Sequence, residues 1–91
     1  GPGRTLVIYM GVATAESIAD KLIADGLSPE APVAVVENAT RPGMRVLRAP
    51  LAGLGEVVAQ RKVKSPAVIV IGEVAAGQKS GLRALALEAL Q

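Results

Sequence analysis

Short apolar runs set the strongest limit on what this chain can fold into. Thr5-Leu6-Val7-Ile8-Tyr9 is β-branched or aromatic at most positions, and Met10-Gly11 closes it. Val33-Ala34-Val35-Val36 and Ala67-Val68-Ile69-Val70-Ile71 are of the same kind. Runs of this length, bounded by glycine, proline or polar turns, read as strands buried on both faces. The longest, Ala67 to Ile71, falls far short of the ~18 residues that a membrane span needs.

The segments between the runs have a different period. After the first strand, Ala13 to Asp25 carries Ala15, Ile18, Ala19, Leu22 and Ile23 on one face, with Asp20, Lys21 and Asp25 turned away. Thr14 suits the N-cap and Glu16 the first turn, while Gly26 and Pro29 supply the stop. A strand, a helix and a second strand in this order predict a right-handed crossover with parallel pairing. Glu37-Asn38-Ala39-Thr40-Arg41-Pro42-Gly43 then forms a polar turn. Met44 to Ala49 follows as an edge strand, or as one with a wet face, because Arg45 and Arg48 interrupt it. The short connection makes it antiparallel to the second strand if the two pair.

Pro50 suits the first turn of a second helix, with Leu51, Leu54, Val57 and Val58 as its stripe. Gly53 and Gly55 each weaken that helix by about 1 kcal/mol relative to alanine. Arg61 and Lys62 favour its C-terminus. Lys64-Ser65-Pro66 turns into the last strand, which Gly72 ends. The tail from Gly77 to Gln91 has Leu82, Leu85, Ala86 and Leu90 at helical spacing, with Ser80 as its cap. It is either a docked helix or a partly ordered tail. The expected fold class is α/β, with a small mixed sheet of order βαββαβ plus a C-terminal helix. Residues 1–3 read as a tag scar, 4–76 as the α/β unit and 77–91 as the tail.

Composition removes most chemistries. The 91 residues amount to one domain at most, burying about 60–65 % of the unfolded surface. Tyr9 is the sole aromatic in a chain that is 51 % hydrophobic. The core must therefore be thin and built of Ala, Val, Leu and Ile, so partner surface is expected to complete it. Without cysteine or histidine there is no disulfide, no thiolate metal site and no imidazole base. A net charge of +2 without interleaved aromatics does not point to nucleic acid. A cytoplasmic location is the default expectation.

No glycine-rich phosphate loop, nucleophile elbow or paired carboxylate is present. Glu37 and Glu73, at strand ends, are the available acid/base groups, and the simpler role for each is a turn or a salt bridge. Arg41, Arg45 and Arg48 are most simply solvated. The more specific expectation concerns the ends of the first two strands. In α/β sheets, ligands bind at carboxyl ends of strands. Parallel strands one and two would set Met10-Gly11 and Asn38-Ala39-Thr40 on one edge, with small residues and free backbone groups across a crevice. Met10 offers a soft thioether and Gly11 a close backbone approach.

Thr5 to Gly11, Pro32-Val33-Ala34-Val35-Val36-Glu37-Asn38-Ala39-Thr40, and Ser65-Pro66-Ala67-Val68-Ile69-Val70-Ile71-Gly72-Glu73-Val74 together resemble the C-terminal part of the S-adenosylmethionine-dependent tetrapyrrole methylases. The likeness is to the branch that acts on uroporphyrinogen III, and it runs from about Arg4 to Val74. It implies a two-domain, usually homodimeric αβα enzyme that methylates uroporphyrinogen III to precorrin-2, towards sirohaem or cobalamin. It implies S-adenosyl-L-methionine held in a cleft between the domains. The cofactor contacts it carries over fall on Met10 and Ala39, with Gly11, Asn38 and Thr40 as weaker candidates. Ala39 stands where many relatives have glycine, and a backbone contact is expected to survive that change.

The family's glycine-rich cofactor loop and its acid/base residues belong to the N-terminal domain and to segments upstream of this stretch. The chain is accordingly expected to be a piece of such an enzyme, with no catalytic residue of its own and no activity alone. A methylase of a later precorrin is an alternative. A second alternative is a stand-alone α/β module that acts through protein contacts at an exposed strand edge. All readings anticipate a homo-oligomer, and none involves membrane, metal or nucleic acid.

Overall fold

The computed structural model describes residues 6–10, 15–64 and 67–89. These residues hold four strands and three helices in the order βαββαβα. In chain order they are β1 (Leu6–Met10), α1 (Ala15–Ala24), β2 (Pro32–Glu37), β3 (Arg45–Pro50), α2 (Leu54–Gln60), β4 (Ala67–Ile71) and α3 (Lys79–Ala89). Single 3-10 turns at Leu51–Gly53 and Glu73–Ala76 lead into α2 and α3.

The α/β class and the element order match the sequence expectation, but the pairing differs. The sheet order is β1-β4-β2-β3, and every ladder is antiparallel. β1 and β2 do run in the same direction, yet they are not neighbours, because β4 lies between them. The reason is visible in burial. β4 is buried along its whole length, and an all-apolar strand gains most from a central position flanked on both sides. β1 was expected to be buried on both faces. It is instead an edge strand in this sheet, with Val7 37 % exposed. β3 forms the other edge, antiparallel to β2 as expected.

Strand alternation divides the interior into two layers. On one face Val33, Val35, Leu47, Ala67, Ile69 and Ile71 meet Ala15 and Ala19 of α1, Leu51 of the 3-10 turn and Leu54 at the start of α2. On the other, Ala34, Val36, Val68 and Val70 meet Ala39, Ala75, and Leu82 and Ala86 of α3. The tail is therefore a docked helix. Ser80 is not its cap but lies within the first turn of α3. Pro50 is the last residue of β3 rather than a helical residue. Thr14, the expected cap of α1, lies outside the described residues, and α1 begins at Ala15.

Two glycines have definite work. Gly26 takes φ +109, and it ends α1 with bonds from Gly26 N to Ile23 O (3.0 Å) and from Leu27 N to Leu22 O (3.0 Å). That pair of bonds is a Schellman closure, which favours glycine at the left-handed position. Gly55, read from sequence as a weak point of its helix, is where α2 crosses α1. A Cβ there would lie 2.9 Å from Glu16 Cβ and 3.2 Å from Glu16 Cα. Removing the side chain permits the close approach of the two helices.

The two helical glycines at 55 and 81 should respond in opposite ways. Gly55→Ala must push α1 and α2 apart and should destabilise the chain by about 1–3 kcal/mol. At Gly81, exposed on α3, a Cβ meets nothing within 4 Å. Gly81→Ala should stabilise by about 0.5–1 kcal/mol through helix propensity. Urea denaturation of the two variants tests both signs.

Candidate functional site

The rim at the carboxyl ends of β1 and β2 is built by register. Met10 of β1 lies opposite Ala67 of β4, and Ala67 lies opposite Glu37 of β2. Both strand ends thus reach the same rim, but not as the adjacent pair that was expected. They are separated by the width of β4, about 9–10 Å at two inter-strand spacings. Gly11 lies outside the described residues.

The chain leaves β2 through a tight polar turn. Asn38 adopts φ 57, a left-handed conformation that asparagine tolerates better than most residues. Arg41 N donates to Asn38 O at 3.0 Å, and Met44 N to Arg41 O at 3.2 Å. Asn38 is half-buried and Thr40 exposed, but Ala39 between them is only 1 % exposed. Its side chain packs in the layer beneath α3. Its carbonyl accepts a bond from Arg83 Nε at 3.0 Å. Arg83 was not anticipated from sequence, since it lies off the apolar stripe of α3 and nothing local ties it to residue 39.

Glu37 has a structural occupation. Arg45 sits directly across the β2–β3 ladder and donates twice, Nε to Oε1 at 2.7 Å and Nη2 to Oε2 at 3.1 Å. Lys64 N donates to Oε2 at 2.7 Å, and Arg45 Nη2 also reaches Arg61 O at 3.0 Å. The end of α2 aims that loop. Lys62 turns left-handed (φ 53), while Val63 N bonds back to Val58 O at 3.1 Å. One buried carboxylate thereby ties together β2, β3 and the loop entering β4. The Arg45 bond, aided by the Lys64 amide and opposed by burial, holds the Glu37 carboxyl below its ordinary 4.5. A carboxylate so satisfied is a staple and not a general base. Glu73 is exposed in the 3-10 turn.

The arginines expected to be solvated divide accordingly. Arg45 is bound as above. Arg48 donates to Ala75 O (Nε, 3.2 Å) and Gly77 O (Nη2, 2.6 Å), fastening β3 to the turn before α3. Arg41 is exposed. An open groove of about 350 Å³ between α1 and α2 is lined by Glu16, Asp20, Gly55 and Glu56 among others, and Glu37 to Thr40 are not in its lining. Among the described residues no group of acidic side chains is placed to hold a metal ion. No helix described is long and apolar enough to cross a membrane.

Comparison with known proteins bears on this rim. Residues 1–55 match the model of the tetrapyrrole (corrin/porphyrin) methylases. Over 72 residues the chain is 46 % identical to a sirohaem synthase of Hydrogenovibrio crunogenus, covering 79 % of this chain and 15 % of that protein. Over 81 residues it is 43 % identical to a uroporphyrinogen-III C-methyltransferase of Pseudomonas fluorescens, covering 88 % of this chain and 33 % of the other. A crystal structure of the Thermus thermophilus uroporphyrin-III C-methyltransferase, complexed with S-adenosylhomocysteine, superposes with a TM-score of 0.67 at 37 % identity. That match covers 77 % of this chain and 30 % of the other. The chain thus spans a third or less of each of these relatives.

The Glu37 staple has a pH signature. Its carboxyl is lowered on folding, so the stability it contributes is full above the ordinary carboxylate pKa. That stability is lost as pH falls through the lower folded value. Glu37→Gln should reduce stability at neutral pH, and the loss should shrink on acidification below about pH 4. Urea midpoints for both proteins between neutral pH and pH 3 measure it, and parallel curves would contradict the assignment.

Proposed function

Since the chain belongs to the tetrapyrrole (corrin/porphyrin) methylases, we propose that it forms one wall of the cofactor cleft in an S-adenosyl-L-methionine-dependent uroporphyrinogen-III C-methyltransferase. The parent enzyme would be cytoplasmic and homodimeric, yielding precorrin-2 for sirohaem or cobalamin. The names of the relatives support the reaction, and the S-adenosylhomocysteine bound to the Thermus thermophilus protein supports the cofactor. The observation that carries the reading is the register that brings the ends of β1 and β2 to one rim across Ala67.

The residues at that rim suit the neutral, adenosyl part of such a ligand. No phosphate cradle is needed, and the carboxylate that ends β2, Glu37, is already paired with Arg45. Thr40 has an exposed hydroxyl position, and Asn38 presents a half-buried amide beside a left-handed turn. Met10 ends β1 on the same rim. When bound, the cofactor supplies a methyl group on a sulfonium centre for transfer to a ring carbon. The role of this stretch is positioning: Met10, Ala39 and the weaker candidates Gly11, Asn38 and Thr40 would hold the donor in line. Proton removal and choice of tetrapyrrole fall to no residue described here, since Glu37 is engaged and Glu73 stands at an exposed turn. The 91-residue chain alone should therefore be inactive.

Titration of the isolated chain with S-adenosylhomocysteine, followed by backbone amide shifts, tests this. Weak binding with the largest shifts at Met10 and Asn38–Thr40 is expected. Shifts confined to the α1–α2 groove would overturn the placement, as would methylation of uroporphyrinogen III by the isolated chain.

A further inference from the structure

We infer that α3 closes the Ala39 side of this rim and that Arg83 is the residue which holds it closed. The inference rests on the cofactor reading above and adds a control on access to the same site. Ala39 has 1 % of its surface exposed, and it shares a packed layer with Leu82 and Ala86 of α3, both at 0 %. Its carbonyl is already taken by Arg83 Nε at 3.0 Å. A bond from a guanidinium to a carbonyl is charge-assisted and stronger than a neutral one. A ligand that uses the Ala39 carbonyl must displace that donor.

The approach to α3 is held in the same manner. Arg48 binds Ala75 O and Gly77 O, so the turn that launches α3 is fixed to β3. Arg48 of β3 thus holds the turn before α3, and Arg83 of α3 holds the turn after β2. Arg83 is the one that touches the candidate site. It is itself exposed, and so it can swing away while Leu82 and Ala86 keep the helix packed. The closed form lowers the apparent affinity of a ligand by the fraction of molecules that are open.

The test compares the unaltered 91-residue chain with Arg83→Ala and Arg83→Gln, each titrated with S-adenosylhomocysteine by calorimetry and amide shifts. Removing the cationic donor should tighten binding about tenfold, with larger shifts at Ala39 and Thr40. Arg83→Gln, which keeps an N–H donor, should stay close to the unaltered chain. Amide dispersion outside α3 reports that the fold is kept. If the unaltered chain and Arg83→Ala bind equally, with shifts at Met10 and Asn38–Thr40, the closure is wrong and the cofactor reading stands. If neither binds, or shifts lie only in the α1–α2 groove, both are wrong.

Discussion

The insertion of β4 between β1 and β2 is the constraint on which the rest of the molecule depends. Ala67 to Ile71 are buried on both faces and hydrogen-bonded along both edges. Among the described residues the buried hydrophobic core is Ala, Val, Leu and Ile alone, small side chains that must interdigitate closely. A strand of Val and Ile alternating between two helical layers meets that need. Its antiparallel course also sets the direction of its neighbours. β1 and β2, each antiparallel to β4, are forced to run the same way and to end together.

That shared ending gives the rim its chemistry. The sheet brings a carboxylate, a left-handed asparagine and a strand terminus to one side, then removes the charge by pairing Glu37 with Arg45 and the Lys64 amide. What remains at the turn is peptide groups and a hydroxyl, with Arg41 exposed and Arg83 held on the Ala39 carbonyl. Peptide groups and a hydroxyl of this kind are groups that a nucleoside can bond, in a family whose cofactor carries no phosphate.

Much of this was legible in the amino-acid order. The helical stripe from Ala15 to Ile23 and the punctuation at Gly26 specified α1 because periodicity and a left-handed closure are both local properties. The wet strand at Arg45 to Pro50 was recognisable from its charges. The place of β4 was not, since three apolar runs of similar length carry no label saying which one lies in the middle. Nor was the purpose of Gly55 visible, because its partner is Glu16, on a different helix. The Arg83–Ala39 bond joins residues far apart in the chain, and no spacing rule reaches that distance. Register and strand order are products of global packing, and they decided how near to one another the ends of β1 and β2 could lie.

The two interior layers are unequal in a way that shapes how the molecule breathes. The layer under α1 and α2 draws buried side chains from both helices and the turn between β3 and α2, whereas the layer under α3 receives only Leu82 and Ala86 from its helix at full burial. Excursions that expose backbone amides to solvent exchange should begin on the α3 side, while the opposite face stays protected until the whole sheet gives way.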